Sequence, residues 1–157
     1  MRYQDWAIAA TQRAVESLFR VARAVPADKL DWKPLELGRS VLDQLRECAD
    51  APRLYRAILE ARAVPDLGPT FFDEAQKRRQ AWGDLDACAR ACEANSDALY
   101  AAIAAYPDAD LDRTVTLPAR KLTLSMAELM LSHHNHLNYH RGQASYVQSL
   151  YGGAEPH

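Results

Sequence analysis

The chain has 157 residues, 48% of them hydrophobic, with 19 basic and 21 acidic side chains for a formal charge of −2. That length suits one domain, residues 1–157, with a sizeable core. The balanced charge leaves no basic footprint for nucleic acid, and no apolar run reaches membrane-spanning length.

Hydrophobic periodicity predicts an all-α chain with four main helices. Helix one is expected from Tyr3 to Val25, with Trp6, Ala10, Ala14, Leu18, Val21 and Val25 on its apolar side. Residues Met1 to Trp6 lead directly into this pattern, with nothing resembling a signal segment. Pro26 stops the helix, and Ala27 to Pro34 is a loop anchored by Trp32. Helix two starts after Ser40 as N-cap and runs toward Ala63; Pro52 inside it should bend or divide it. Periodicity weakens from Asp66 to Gly83, a long connection between helices two and three with room for a short helix around Phe72 to Arg79. Helix three runs from about Asp84 to Tyr106-Pro107, with Leu85, Cys88, Cys92, Leu99 and Ile103 inward. Asp108 to Leu124 reads as a loop, whose β-prone piece Thr114 to Pro118 is too isolated to make a sheet. Ser125 to Glu128 has capping-box spacing and opens helix four, which runs to Tyr151 before Gly152-Gly153. Four amphipathic helices bury their stripes best as a bundle, and the long connection permits a crossover.

The chemistry concentrates in helix four. His133, His134, His136 and His140 lie within it, the fifth histidine being His157. At roughly 100° per residue, His136 and His140 are about 40° apart and one turn above one another. Two imidazoles at i and i+4 can bring ring nitrogens to one divalent ion. His133 projects close to His140 on the apolar stripe, whereas His134 points roughly the opposite way. A single buried histidine needs only one hydrogen bond to pack in a core, but three on one stripe each require a polar partner. Helix two is the natural source of a third ligand. Its apolar face, from Val41, Leu45, Tyr55 and Leu59, centres nearest Cys48, with Glu47 about 100° away on a flank. Spacing leaves both open. Cys48, Cys88 and Cys92 form no zinc-finger or C-x-x-C pattern, and an odd count without a secretory signal fits a reducing, cytoplasmic setting.

The run Asn135-His136-Leu137-Asn138-Tyr139-His140-Arg141-Gly142-Gln143 resembles the N-H-x-x-x-H-R-G-Q signature of the DinB/YfiT-like superfamily of four-helix-bundle metalloproteins. Leu30 to Pro34, Ala49-Asp50 and Leu111 to Pro118 are similar to further family segments. The resemblance implies a divalent metal held by one residue of helix two and the two helix-four histidines. The family's usual helix-two ligand is a histidine directly before a Leu-Ala-Asp-like run; here that run is Cys48-Ala49-Asp50, so the matching position is Glu47. The implied ligands are therefore Glu47, His136 and His140, with His133 and Gln143 as supporting or pocket residues. Such a set suits zinc, nickel, iron or manganese. A zincin is excluded because Leu137 follows His136 where H-E-x-x-H requires glutamate, and a ferritin-like centre because no Glu-x-x-His pair occurs.

Two enzymatic uses of such an ion follow, both on a small-molecule substrate: metal-assisted hydrolysis, or attack by a low-molecular-weight thiol held as thiolate. The resemblance implies the second, since thiol transferases and a thiol-dependent isomerase belong to the superfamily. The alternative is a non-catalytic bundle or binding module with a structural ion. A homodimer is also expected, because Trp6, Ile8, Phe19 and Val21 do not fit one narrow stripe and Tyr146 lies off the histidine face.

Overall fold

The computed structural model describes residues 1–66, 68–117 and 121–152; Pro118, Gly153 and His157 lie outside them. Six helices and one hairpin follow in order: α1 (Tyr3–Arg23), α2 (Val41–Ala61), α3 (Phe71–Gln80), α4 (Leu85–Ala104), β1 (Thr114–Leu117), β2 (Leu122–Ser125), α5 (Met126–Met130) and α6 (Ser132–Leu150). The expected four long helices are α1, α2, α4 and the α5–α6 pair, and the short helix in the long connection is α3. Ser40 and Asp84 cap α2 and α4, accepting from Asp43 N at 3.1 Å and Ala87 N at 2.7 Å. Ser125 and Glu128 form the capping box that starts α5.

Two features differ from the sequence reading, and a third removes one of its two alternatives. The helix expected from Ser125 onward breaks at Leu131 (φ −87°, ψ −4°), whose N–H bonds Glu128 O at 3.1 Å in a tighter turn. Thr114–Leu117 is not isolated: it pairs antiparallel with Leu122–Ser125, in register Thr114 to Ser125 through Leu117 to Leu122. Thr116 Oγ1 meets Thr123 Oγ1 across the pair at 2.9 Å, and Val115 is buried against the bundle, which supplies the support an isolated strand lacks. Finally, Pro52 does not divide α2. The missing proline N–H frees the carbonyl four residues earlier, Cys48 O. The Cys92 thiol of α4 donates to that oxygen at 3.9 Å, and Asn95 Nδ2 donates to the next carbonyl, Ala49 O, at 2.8 Å. The neighbouring helix thus satisfies the polar groups that proline exposes.

α1 packs against α4 and α6, and α2 packs against the same two helices. α1 and α2 therefore face each other across a diagonal, which the loop between them spans, and the bundle is not a simple up-and-down ring. This arrangement lays α6 directly on α2. Two apolar clusters fill the interior. One joins Leu18, Val21, Leu45, Cys48, Cys92, Leu137 and Val147; the other joins Ala7, Ile58, Leu99, Ile103, Met126 and Leu129. Along α1, α4 and α6, the buried polar residues Thr11, Ser96 and His133 fall between the positions that feed the two clusters. None of the described helices is long and apolar enough to cross a membrane.

Candidate metal centre

The buried line of α2 runs through Val41, Leu45, Cys48 and Ala49, so Cys48 faces the interior and is fully buried. Glu47, one residue earlier, sits on the flank turned toward α6 and remains partly open, its side chain 26% exposed. On α6, Leu137, His140, Ala144 and Val147 are buried, and His136 sits at the edge of that stripe. The two helices bring their polar atoms to one point. His136 Nε2 lies 3.0 Å from His140 Nε2 and 3.3 Å from Glu47 Oε1, and His140 Nε2 lies 3.9 Å from the same oxygen. The imidazoles meet edge to face, with centroids 4.6 Å apart and planes at 82°, and the Tyr139 ring packs 5.1 Å from His140. Donors about 2.0–2.1 Å from a tetrahedral ion are about 3.3 Å from one another. The three edges of this triangle bracket that value, and two neutral nitrogens with one carboxylate oxygen are a competent donor set for a divalent ion.

Cys48 belongs to the same cluster: its Sγ and the two histidine nitrogens all lie within 4.8 Å of one another. Both residues that the sequence left open therefore approach the histidine pair, the thiol from the core and the carboxylate from the edge. Glu47 Oε1 stands 3.3 and 3.9 Å from the two histidine nitrogens, so either residue of α2 can complete a three-donor set with them.

Glu47 is held from behind. Arg39, immediately before the Ser40 cap, forms an ion pair with Glu47 Oε2 and also donates to Asp43 O at 3.1 Å. Glu47 thus directs Oε1 at the histidines and Oε2 at the guanidinium. The hydrogen bond with His136, then the nearby His140 ring, then the Arg39 contact hold its carboxyl well below the usual carboxylate range. Burial acts oppositely on Cys48 and pushes its thiol up. Arg39 had no distinguishing signal in the sequence; an arginine before an N-cap is ordinary, and only the fold turns it toward Glu47.

His133 is fully buried yet turned elsewhere: its Nε2 is 3.2 Å from Ser96 Oγ of α4, and its Nδ1 has no hydrogen-bond partner among the described residues. Burial chiefly, with the neighbouring His136 and His134, depresses its pKa to about 3. Gln143 does not reach the cluster; its Nε2 donates to Tyr139 OH at 2.9 Å. Arg141 reaches α1, donating to Ser17 Oγ at 3.1 Å. Gly142 makes no close approach, since a Cβ there would meet nothing within 4 Å.

Fold and cluster together define a diagonal helical bundle with a histidine pair facing a carboxylate. The chain belongs to the DinB superfamily, whose family model matches residues 6–144. It is similar in structure to YfiT from Bacillus subtilis, described as a probable metal-dependent hydrolase with an unusual four-helix bundle topology. That likeness has a TM-score of 0.77 at 13% identity, over 96% of this chain and 89% of that one. A DinB-like protein of Bacillus subtilis, YjoA, aligns with a TM-score of 0.68 at 16% identity, over 97% of this chain and 96% of the other. No curated protein matches the sequence significantly.

Proposed function

We propose that Glu47, His136 and His140 hold one divalent metal ion, and that the protein is a metal-dependent hydrolase of a small molecule. The observation carrying this reading is the convergence of His136 Nε2, His140 Nε2 and Glu47 Oε1 on one point, with edges of 3.0, 3.3 and 3.9 Å. The donor set admits zinc, nickel, iron or manganese. A bound ion supplies Lewis acidity, which polarises a substrate oxygen and lowers the pKa of a water toward neutrality. The chain's own groups do the rest. Arg39 fixes the Glu47 carboxylate by its outer oxygen, so that one oxygen faces the histidines, and the Tyr139 ring limits the motion of His140. The description of YfiT as a probable metal-dependent hydrolase supports hydrolysis over thiol transfer. The free, buried thiols Cys48, Cys88 and Cys92 accord with a cytoplasmic setting.

A second reading has its own observation. If Cys48 joins the other three as a donor, the shell is closed and the ion only pins α2 to α6. Elemental analysis of purified protein tests the shared premise: near-stoichiometric metal is expected, and His140→Ala should lose it. Equal metal in both proteins refutes the site. Hydrolysis of a panel of small esters and amides by the metal-loaded protein, absent in His140→Ala, separates the open site from the closed one.

A further inference from the structure

The side of α6 turned away from the histidine pair lines a different cleft. His134, Asn138 and Arg141 project roughly 120–180° from the direction shared by His136 and His140. They face α1 across a depression of about 280 Å³ whose opposite wall carries Arg13 and Ser17. Ala10 and Ala14 also line it, and their small side chains leave the space open.

Many arginines outside this cleft are neutralised at close range, although Arg23, Arg90 and Arg113 have no carboxylate partner among the described residues. Arg2, Arg46, Arg62, Arg78 and Arg79 each have a carboxylate within 4.0 Å. Arg13, Arg20 and Arg141 have none among the described residues. Two of these guanidiniums instead meet on one neutral atom: Arg141 Nη1 donates to Ser17 Oγ at 3.1 Å and Arg20 Nη2 donates to it at 3.4 Å. A hydroxyl oxygen has two lone pairs, and both are then occupied. The Ser17 O–H is left as a donor, and none of the described side-chain hydrogen bonds gives it an acceptor. The adjoining wall adds no negative charge, because Asn138 Nδ2 donates to His134 Nε2 at 3.1 Å and to His134 O at 2.9 Å, tying the two side chains to each other. Like charges therefore gather around a hydroxyl proton in a cleft lined by no carboxylate. Each of these groups is complemented by an anion.

We propose that the cleft between α1 and α6 is a binding site for a phosphoryl group, taken by Arg13, Arg141 and the Ser17 hydroxyl. A phosphoryl dianion matches the excess positive charge and offers an oxygen to each donor, whereas a carboxylate carries one charge and two oxygens. The site is distinct from the metal centre and makes no use of it.

Isothermal titration of inorganic phosphate, and separately of phenyl phosphate, into the full chain in a low-salt zwitterionic buffer tests this. Saturable one-to-one binding is expected, and the tighter of the two ligands shows whether free phosphate or a phosphomonoester is preferred. Arg13→Gln and Arg141→Gln should each weaken binding at least about tenfold, the scale of one charge-assisted hydrogen bond. Arg13 is exposed, so its variant reports on binding even if Arg141→Gln disturbs the helix contact. Arg90→Gln, a cation outside the cleft, and His140→Ala should both bind as wild type. Unsaturable heats in the wild type, or an equal loss in Arg90→Gln, reduce the effect to general charge and overturn the proposal. Loss in His140→Ala moves the phosphate to the metal centre and overturns it as well.

Discussion

His133 offers a quantitative test of how the bundle's polar layer behaves. The ring is fully buried, its Nε2 is 3.2 Å from Ser96 Oγ, and burial holds its pKa at about 3 against the ordinary imidazole value of 6.5. Because the folded state refuses the proton that the unfolded chain accepts, the stability this implies is intact above the unfolded pKa. It is lost as pH falls through 6.5, and the loss continues down to about 3. Between pH ~7.5 and ~5.0, single-site linkage gives roughly 2 kcal/mol. The figure is insensitive to the folded value, because at pH ~5 the buried ring stays neutral for any pKa well below that. For a chain of this size it corresponds to roughly 4–8 °C in Tm. Glu47 titrates outside this window, since its depressed carboxyl releases stability only as pH falls below the ordinary glutamate value of 4.5. Urea unfolding by circular dichroism, with a chelator present so that metal does not contribute, should be run on wild type and His133→Gln. Glutamine keeps a donor near Ser96 and cannot titrate. Wild type should lose roughly 2 kcal/mol more than the variant between the two pH values. Parallel losses would show that His133 takes up its proton without unfolding the layer.

Glu47→Gln should weaken metal binding far more than Cys48→Ser, by competition against a chromophoric chelator; the reverse order makes Cys48 the helix-two ligand. Asp50→Asn should lower stability by about 1–2 kcal/mol and speed amide exchange in α3 specifically, because the buried carboxylate holds Arg78 Nε at 3.1 Å and Arg79 Nε at 3.2 Å. Uniform acceleration across the bundle contradicts that role. We also propose a homodimer: of the residues the sequence suggested, Phe19 and Val21 are buried but Trp6 and Tyr146 are exposed, and Tyr146 forms an outward line on α6 with Tyr139 and Leu150, the three being 67%, 63% and 46% exposed. Light scattering should give twice the chain mass, falling in Tyr139→Ser/Tyr146→Ser; a wild-type mass near 17.6 kDa at all concentrations refutes it.

Helices were legible wherever periodicity and a cap agreed, as at Ser40, Asp84 and Ser125, because both signals are local. The strand pair is not legible for a related reason: Thr114–Leu117 alone is too short to make a sheet, and its partner Leu122–Ser125 carries the same alternation only a few residues later. At Pro52 the sequence leaves bend and break both open, because the groups that take up the freed carbonyls lie on another helix, at Cys92 and Asn95. The histidine pair was readable from its spacing, but the choice between Glu47 and Cys48 was not. Adjacent helical residues differ by about 100°, and only the diagonal packing that lays α6 against the flank of α2 shows that both can approach one point. Arg39 and Ser96, which decide how Glu47 and His133 are held, lie far from them in sequence or carry no pattern at all.

The carboxylate at position 47 alters the site's electrostatics in a way the fold then corrects. Resemblance calls for a neutral imidazole there; glutamate brings a negative charge against the donor nitrogens, which would halve the net charge of a divalent centre. Arg39 returns that charge through the outer oxygen, leaving Oε1 for the histidines. The same contact orients the carboxylate, since an oxygen held by a guanidinium does not swing toward His140 as a second donor. A loop residue beside an N-cap and a helix residue on a half-open flank thus act as one unit. In the proposed centre the pair would take the place of a single buried imidazole, at the half-open edge of the bundle.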